Sequence, residues 1–260
     1  MNLIALPAFA DNYIWMLHDG AQAVVVDPGD EAPVRAALEA HGLTLAAILV
    51  THHHPDHVGG VDALRPLLQG PVFGPAREKI PAPVMPLHEG DTIDVLGLRF
   101  SVLDVPGHTA GHIAYLQQGD TAPGTAAPIL FCGDTLFSAG CGRLFEGTPA
   151  QMFESLSRLA ALPAATQVCC THEYTLSNLR FAAAVEPGNA DRAAYEQHCL
   201  ALRAADTPTL PSSIGLERQV NPFLRCDAPE VVASARTQGA SSNEPVAVFT
   251  ALREWKNRFR

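Results

Sequence analysis

The chain has 260 residues, enough for one large domain or two smaller ones, and 47% of them are hydrophobic, ordinary for a globular protein. Its formal net charge of −10 lies entirely in residues 1–172, with 17 acidic and 7 basic residues; residues 173–260 balance at 10 each. An acidic chain without clustered positive charge argues against a nucleic-acid partner, no apolar run nears the ~20 residues of a membrane helix, and carboxylate excess suits a protein that holds cations. The opening MNLIALPAFADNY lacks the basic segment of a secretory signal, so we expect a cytoplasmic protein. Cys132, Cys141, Cys169, Cys170, Cys199 and Cys226 have neither regular spacing nor a CxxC pair, and read as small buried apolar residues.

In chain order, NYIWML and AVVVD read as strands around HDGAQ, whose Asp19-Gly20 is a hairpin signal. A helix is expected near 31–41, then a buried strand, LAAILV, at 45–50. VDALRPLLQ reads as a helix with Pro66 near its start or at a kink. Strands follow at LRFSVLDV (98–105), HIAYLQQ (112–118) and PILFCGD (128–134). Thr148-Pro149-Ala150-Gln151 marks a helix start, with Thr148 as cap, Pro149 in the first turn and Gln151 closing a capping box. ATQVCCTH (165–172) reads as the last strand. Beyond it, LSNLRFAAAVEP, NADRAAYEQHCLALRAAD, APEVVASARTQ and EPVAVFTALREWKNRF carry helical periodicity. The Pro-punctuated segment 207–226 reads as an ordered loop. Alternating strands and helices followed only by helices imply an α/β domain with an appended helical domain, divided near 172–175.

THHHPDH at 51–57 supplies the chemistry-bearing cluster. Side chains two apart in an extended segment point the same way, so His52 and His54 converge while His53 points aside. Pro55 interrupts the strand, and Asp56 and His57 open the next turn. PGHTAGH adds His108 and His112, FCGDTLF adds Asp134, and CCTHEYT adds His172, with His108, Asp134 and His172 near the C-terminal ends of expected strands. Imidazoles and carboxylates suit zinc, iron or manganese. His53 and His112 are open to packing or to orienting a ligand, and Asp27 in VVVDPGD is either a turn aspartate or an acid beside the metals.

These motifs, in this order, resemble the metallo-β-lactamase superfamily. The resemblance implies an α+β fold, a four-layered αβ/βα sandwich with metals at one edge of two facing sheets, here with the C-terminal α-helical domain appended. It also implies two divalent metal ions. One is held by His52, His54 and His108, the other by Asp56, His57 and His172, with Asp134 bridging. A secreted lactamase would carry a signal peptide and usually a cysteine at the second site, where this chain has Asp134; flavin-dependent branches would carry a flavodoxin-like domain.

FADNYIW, VVDPG, THHHPDHVGG, PGHTAGHI, FCGDTLFSAGCGRLFEGT, THEYTLSNLRFA, VNPFLR and LREWK resemble, nearly end to end, the hydroxyacylglutathione hydrolase (glyoxalase II) family. That resemblance implies cleavage of S-D-lactoylglutathione to glutathione and D-lactate, the second step of methylglyoxal detoxification. It assigns residues 1–172 to a binuclear hydrolase domain and 173–260 to a glutathione-binding one. Asp56 and Asp134 orient a hydroxide between two metals, zinc in the first instance, and the protein is expected to be a monomer. Arg253 and Lys256, an i, i+3 pair, either grip the glycine carboxylate of glutathione or complete a solvated helix end. Tyr174 bonds the peptide part. Where the family commonly has lysine and tyrosine, this chain has Arg143 and Phe145, and the lost hydroxyl costs about 0.5–1.5 kcal/mol of binding. Two other readings stand beside this one, a glutathione persulfide dioxygenase with one iron and a metal-binding regulatory or scaffolding protein.

Overall fold

The computed structural model describes residues 1–119 and 127–259. In chain order the first half forms β1 (Asn2–Ala8), β2 (Asn12–His18), β3 (Gln22–Val26), α1 (Glu31–His41), β4 (Thr44–Leu49), α2 (Pro55–Val58), α3 (Val61–Leu64), β5 (Val72–Pro75) and β6 (Met85–Leu87). Its strands make one six-stranded sheet in sequence order, antiparallel from β1 to β3 and parallel from β3 to β6. Then come β7 (Thr92–Val95), β8 (Leu98–Asp104), β9 (Ile113–Gln117), β10 (Ile129–Gly133), β11 (Leu136–Phe137), β12 (Gly140–Cys141), α4 (Pro149–Ala160) and β13 (Gln167–Cys170). The tail adds α5 (Thr175–Val185), α6 (Ala190–Ala204), β14 (Ser212–Ser213), α7 (Ile214–Val220), α8 (Pro229–Thr237) and α9 (Pro245–Arg258). A second six-stranded sheet runs β14-β13-β10-β9-β8-β7, and β11 and β12 form a separate two-stranded pair.

Strand β2 is buried along its whole length, because its two faces serve two cores. Tyr13, Trp15 and Leu17 alternate toward the second sheet and meet Phe100, Tyr115 and Phe131. Ile14 and Met16 point the other way, onto Val34 and Leu38 of α1 and Leu64 of α3. On the second sheet's side, Met152, Leu156 and Leu159 of α4 and Phe249 of α9 join the buried cluster. The fold is thus α+β, with helices outside two facing sheets. Each fully buried ring, such as Trp15 or Phe100, contributes ~1.5–3 kcal/mol of transfer free energy. Trp15 also donates its Nε1–H across the sandwich to Cys170 O at 2.9 Å.

Capping explains where several helices begin. Asp30 accepts from Ala32 N at 2.9 Å ahead of α1, and Thr148 and Gln151 form the expected capping box on α4. Two expectations need correction. The helix read over 61–69 ends at Leu64 and continues as a 3-10 turn over Arg65–Leu67, because Pro66 supplies no N–H and disfavours helix before it. The strand at 167–170 is not the last, and 207–226 is not a loop. Ser212 and Ser213 pair with Gln167 and Val168, then Ser213 caps α7 through Leu216 N at 3.2 Å. A two-residue strand has no periodicity to read. Among the described residues no helix is long and apolar enough to cross a membrane, and all six cysteines are buried and free.

Candidate metal centre

Strands β4, β8, β10 and β13 all deliver their C-terminal ends to one edge of the sandwich. There Tyr13 N donates to Thr171 O at 2.7 Å and Ile113 N to Thr51 O at 3.0 Å, tying the sheets together. After β4 the chain is caught by Asp27, whose carboxylate accepts from Thr51 N at 2.7 Å and from Thr51 Oγ1 at 2.8 Å. His52 and His54 follow, His54 in extended backbone, and Pro55 opens α2, which carries Asp56 and His57 in its one turn. His108 lies in the turn after β8, Asp134 directly after β10 and His172 two residues past the end of β13. Gly142 lets the returning loop pass close; a Cβ there would stand 1.9 Å from Asp134 O.

The structure brings all seven of these side chains together. His52 Nε2 and His108 Nε2 lie 3.0 and 3.1 Å from His54 Nδ1. His57 Nε2 and His172 Nε2 lie 3.7 and 3.5 Å from Asp56 Oδ2. Asp134 stands between the two sets. Its Oδ2 is 3.4 Å from His108 Nε2, and its Oδ1 is 3.4 Å from both His57 Nε2 and His172 Nε2. Ligands bonded at ~2.0–2.2 Å in a tetrahedral shell stand about 3.3–3.6 Å apart; the separations around Asp134 and between Asp56 and His172 match this, and the other three lie within about 0.3 Å of it, close to what two ions of zinc size need.

The outward ring nitrogens decide what faces inward. Thr51 gives its only hydroxyl proton to Asp27, so it accepts from His52 Nδ1 at 3.1 Å. His108 Nδ1 donates to Arg143 O at 2.9 Å, and His172 Nδ1 donates to Asp11 Oδ1 at 2.8 Å. His57 Nδ1 faces Asp27 Oδ2 at 3.2 Å. When these rings are neutral, the inward Nε2 atoms of His52, His108 and His172 therefore carry lone pairs, and neither nitrogen of buried His57 has a hydrogen-bond partner. Converging lone pairs and carboxylate oxygens fit a cation between them.

Electrostatics agree. Burial and the neighbouring imidazoles of His57, His112, His108 and His54 push His52 well below its ordinary value, so it stays neutral. Burial also lowers His54 and His108. At His57 burial acts downward too, but Asp134, Asp27 and Asp56 outweigh it and push the ring up to about 9. Asp134 is held far below the usual carboxylate range, because His57, His172 and His108 outweigh its burial. A cation in the cluster takes the place of the proton that these carboxylates otherwise hold on the second set.

A cleft of about 430 Å³ opens beside the cluster, lined by His108 and Asp134 on one side and Arg143, Phe145, Tyr174 and Lys256 on the other. Tyr174 stacks on His172, rings 4.6 Å apart and 5° from parallel. Exposed Phe145 sets its edge against His54 and His108, 5.6 and 5.2 Å away. Lys256 Nζ donates to Ser177 O at 3.1 Å and lies over the Phe181 ring. Arg253 also lines the cleft but is buried, donating to Cys141 O at 2.9 Å and to Asn257 Oδ1 at 3.1 Å. His53 and His112 stand outside the cluster. His53 turns to Glu78, and His112 stacks on His52 while its Nε2 accepts from Asp134 N at 3.1 Å. Sequence reading missed Asp11, Thr171, which donates to Asp134 Oδ1 at 2.7 Å, and Asn12, which donates to Asp56 Oδ2 at 3.1 Å. Only their adjacency to His172 and to strand ends hinted at them.

The fold and cluster define a metallo-β-lactamase superfamily member, and residues 9–172 match that superfamily's model. Residues 173–259 match the model described as hydroxyacylglutathione hydrolase C-terminus. A hydroxyacylglutathione hydrolase from Albidiferax ferrireducens is 60% identical over 259 residues, covering 100% of both chains. The chain belongs to the hydroxyacylglutathione hydrolase family. Among solved structures, ETHE1 from Myxococcus xanthus is similar at 26% identity and a TM-score of 0.65, with 100% of both chains covered. TTHA1623, solved in a di-iron-bound form, is similar at 30% identity and a TM-score of 0.59, over 86% of this chain and 100% of that one.

Proposed function

We propose that this protein hydrolyses the thioester of S-D-lactoylglutathione, releasing glutathione and D-lactate. The observation that carries the reading is Asp134, which offers one oxygen to each of two three-ligand sets at the floor of a cleft with cationic walls. His52, His54 and His108 would hold one divalent ion and Asp56, His57 and His172 the other, with Asp134 shared. Such ions supply an acidified water as nucleophile and an electrophile for the thioester carbonyl. The donors accept zinc, iron or manganese, and zinc is the ion to load first.

The chain's own residues do the rest. Asp134, fixed by Thr171, and Asp56, fixed by Asn12, orient the attacking water. Asp56 is the more exposed of the two, its side chain 39% accessible, and faces incoming substrate. A thiolate leaves readily, so little general-acid help is needed. Burial raises the thiol of Cys141, the cysteine lining the cleft, which argues against a thiolate nucleophile. Residues 1–172 supply this hydrolytic half and 173–260 the larger part of the glutathione half. Lys256 meets the glycine carboxylate, Arg143 and Tyr174 meet the peptide, and Phe145 flanks the thioester; Arg253 holds Cys141 and its loop in place. A complete second ligand set argues against a one-iron persulfide dioxygenase. We place the protein in the cytoplasm as a monomer. The test is hydrolysis of S-D-lactoylglutathione by zinc-loaded protein beside Asp134→Ala. Cleavage that the variant loses supports the reading, and a metal-loaded wild type without cleavage refutes it.

A further inference from the structure

Glu78 lies in the turn after β5, outside both ligand sets, yet its side chain is 1% exposed. Its two oxygens face four donors. Oε2 accepts from His53 N at 3.1 Å and closely meets His53 Nδ1. Oε1 accepts from Thr109 Oγ1 at 2.6 Å and from Gly111 N at 2.8 Å. His53 sits between ligands His52 and His54, and Thr109 directly follows ligand His108. One buried carboxylate thus ties together the two loops that carry the whole first ligand set. The approach is close: a Cβ on Gly111 would lie 2.9 Å from Glu78 Oε1. Glu146 repeats the arrangement more loosely, accepting from Ala110 N at 2.8 Å while lying 3.6 Å from His53 Nε2.

We infer that Glu78 is a positioning residue for the metal held by His52, His54 and His108, acting through His53, Thr109 and Gly111 rather than by ligation. The inference rests on the metal-site reading above. Glu78→Gln tests it sharply. Thr109 can turn its hydroxyl to accept and His53 can change tautomer, but the backbone N–H groups of His53 and Gly111 cannot. Whichever way the amide turns, its NH₂ opposes one of those N–H groups. The second set has no bond to Glu78 among the described residues and is predicted to be spared.

The experiment is competition of apo protein against a chromophoric chelator for zinc, with X-ray absorption at the bound ion and the melting temperature of the apo forms as the folding control. Wild type is expected to take up two ions tightly. Glu78→Gln is expected to keep one and bind the other about 10–100-fold more weakly, the usual cost of losing support around a metal site. The retained ion should show two imidazoles, those of His57 and His172, rather than three. Thr109→Val, which removes one of the four donors at constant shape, should weaken the same ion by a smaller factor and serves if the glutamine variant does not fold. Two ions bound with wild-type affinity in either variant, equal weakening of both, or a retained ion with three imidazoles overturns the inference. A wild type that binds no zinc at the first set overturns the metal-site reading itself, and the inference with it.

Discussion

Lys256, which lines the cleft, gives the sharpest test of the proposed carboxylate site. Burial, then the positive charges of Arg253 and Arg180, push its ammonium down from the usual lysine value to about 8. It is therefore ~90% charged at pH 7 but only ~10% charged at pH 9. The glycine carboxylate of glutathione is ionised throughout that range, so the ion pair is intact below the lysine's pKa and fades as pH rises through it. Binding should weaken about tenfold between pH 7 and pH 9. The assay is titration calorimetry with a non-hydrolysable S-alkylglutathione, which separates binding from turnover. The ligand's own amine titrates nearby, so Lys256→Arg is the control: guanidinium keeps its charge across the range. Wild type should show a break near pH 8 that Lys256→Arg lacks. The same break in both proteins would refute the assignment of Lys256 to the carboxylate.

Asp11→Asn should weaken one of the two metals ~10–100-fold in chelator competition, because Asp11 orients the His172 ring; unchanged affinity would refute that role. Stripping both ions should lower the melting temperature. At 100 times its dissociation constant each site contributes ~2.7 kcal/mol, and calorimetry with and without chelator reads the difference. Phe145→Tyr should tighten S-alkylglutathione binding about 2–10-fold by restoring one hydrogen bond, measured by the same titration. Thr148→Ala should cost ~1 kcal/mol of stability through its lost cap, seen in denaturant unfolding, with activity unchanged.

The clustered donors were legible in the sequence because four of the seven sit within six positions and the other three follow expected strands. Phase alone put His53 aside from His52 and His54, and the structure shows it turned to Glu78. What the sequence hid was partnership at a distance. Asp11 is 161 positions from His172, and Glu78 is 25 from His53 and 31 from Thr109. Nothing local distinguishes either acid from a surface carboxylate. Strands β11, β12 and β14 escaped for a different reason, since two residues cannot display an alternation.

The tail does more than add cations to the cleft. Asn221 Nδ2 donates to Phe137 O at 3.1 Å and Gly140 O at 2.9 Å, and the buried carboxyl of Glu217 accepts from Ala139 N at 2.8 Å. Arg253 closes the same hairpin through Cys141 O. That hairpin begins two residues after Asp134 and ends two residues before Arg143. It therefore joins the carboxylate that stands between the two groups of donors to the cationic wall of the cleft. Because tail residues satisfy its backbone, the position of Asp134 depends on residues beyond 172, and β14 completes the sheet edge from the same segment. Sequence families divide the chain at 172/173, but the hydrogen bonds that set the site cross that line. The donor cluster and the cleft beside it are in this way held by one interlocked set of loops.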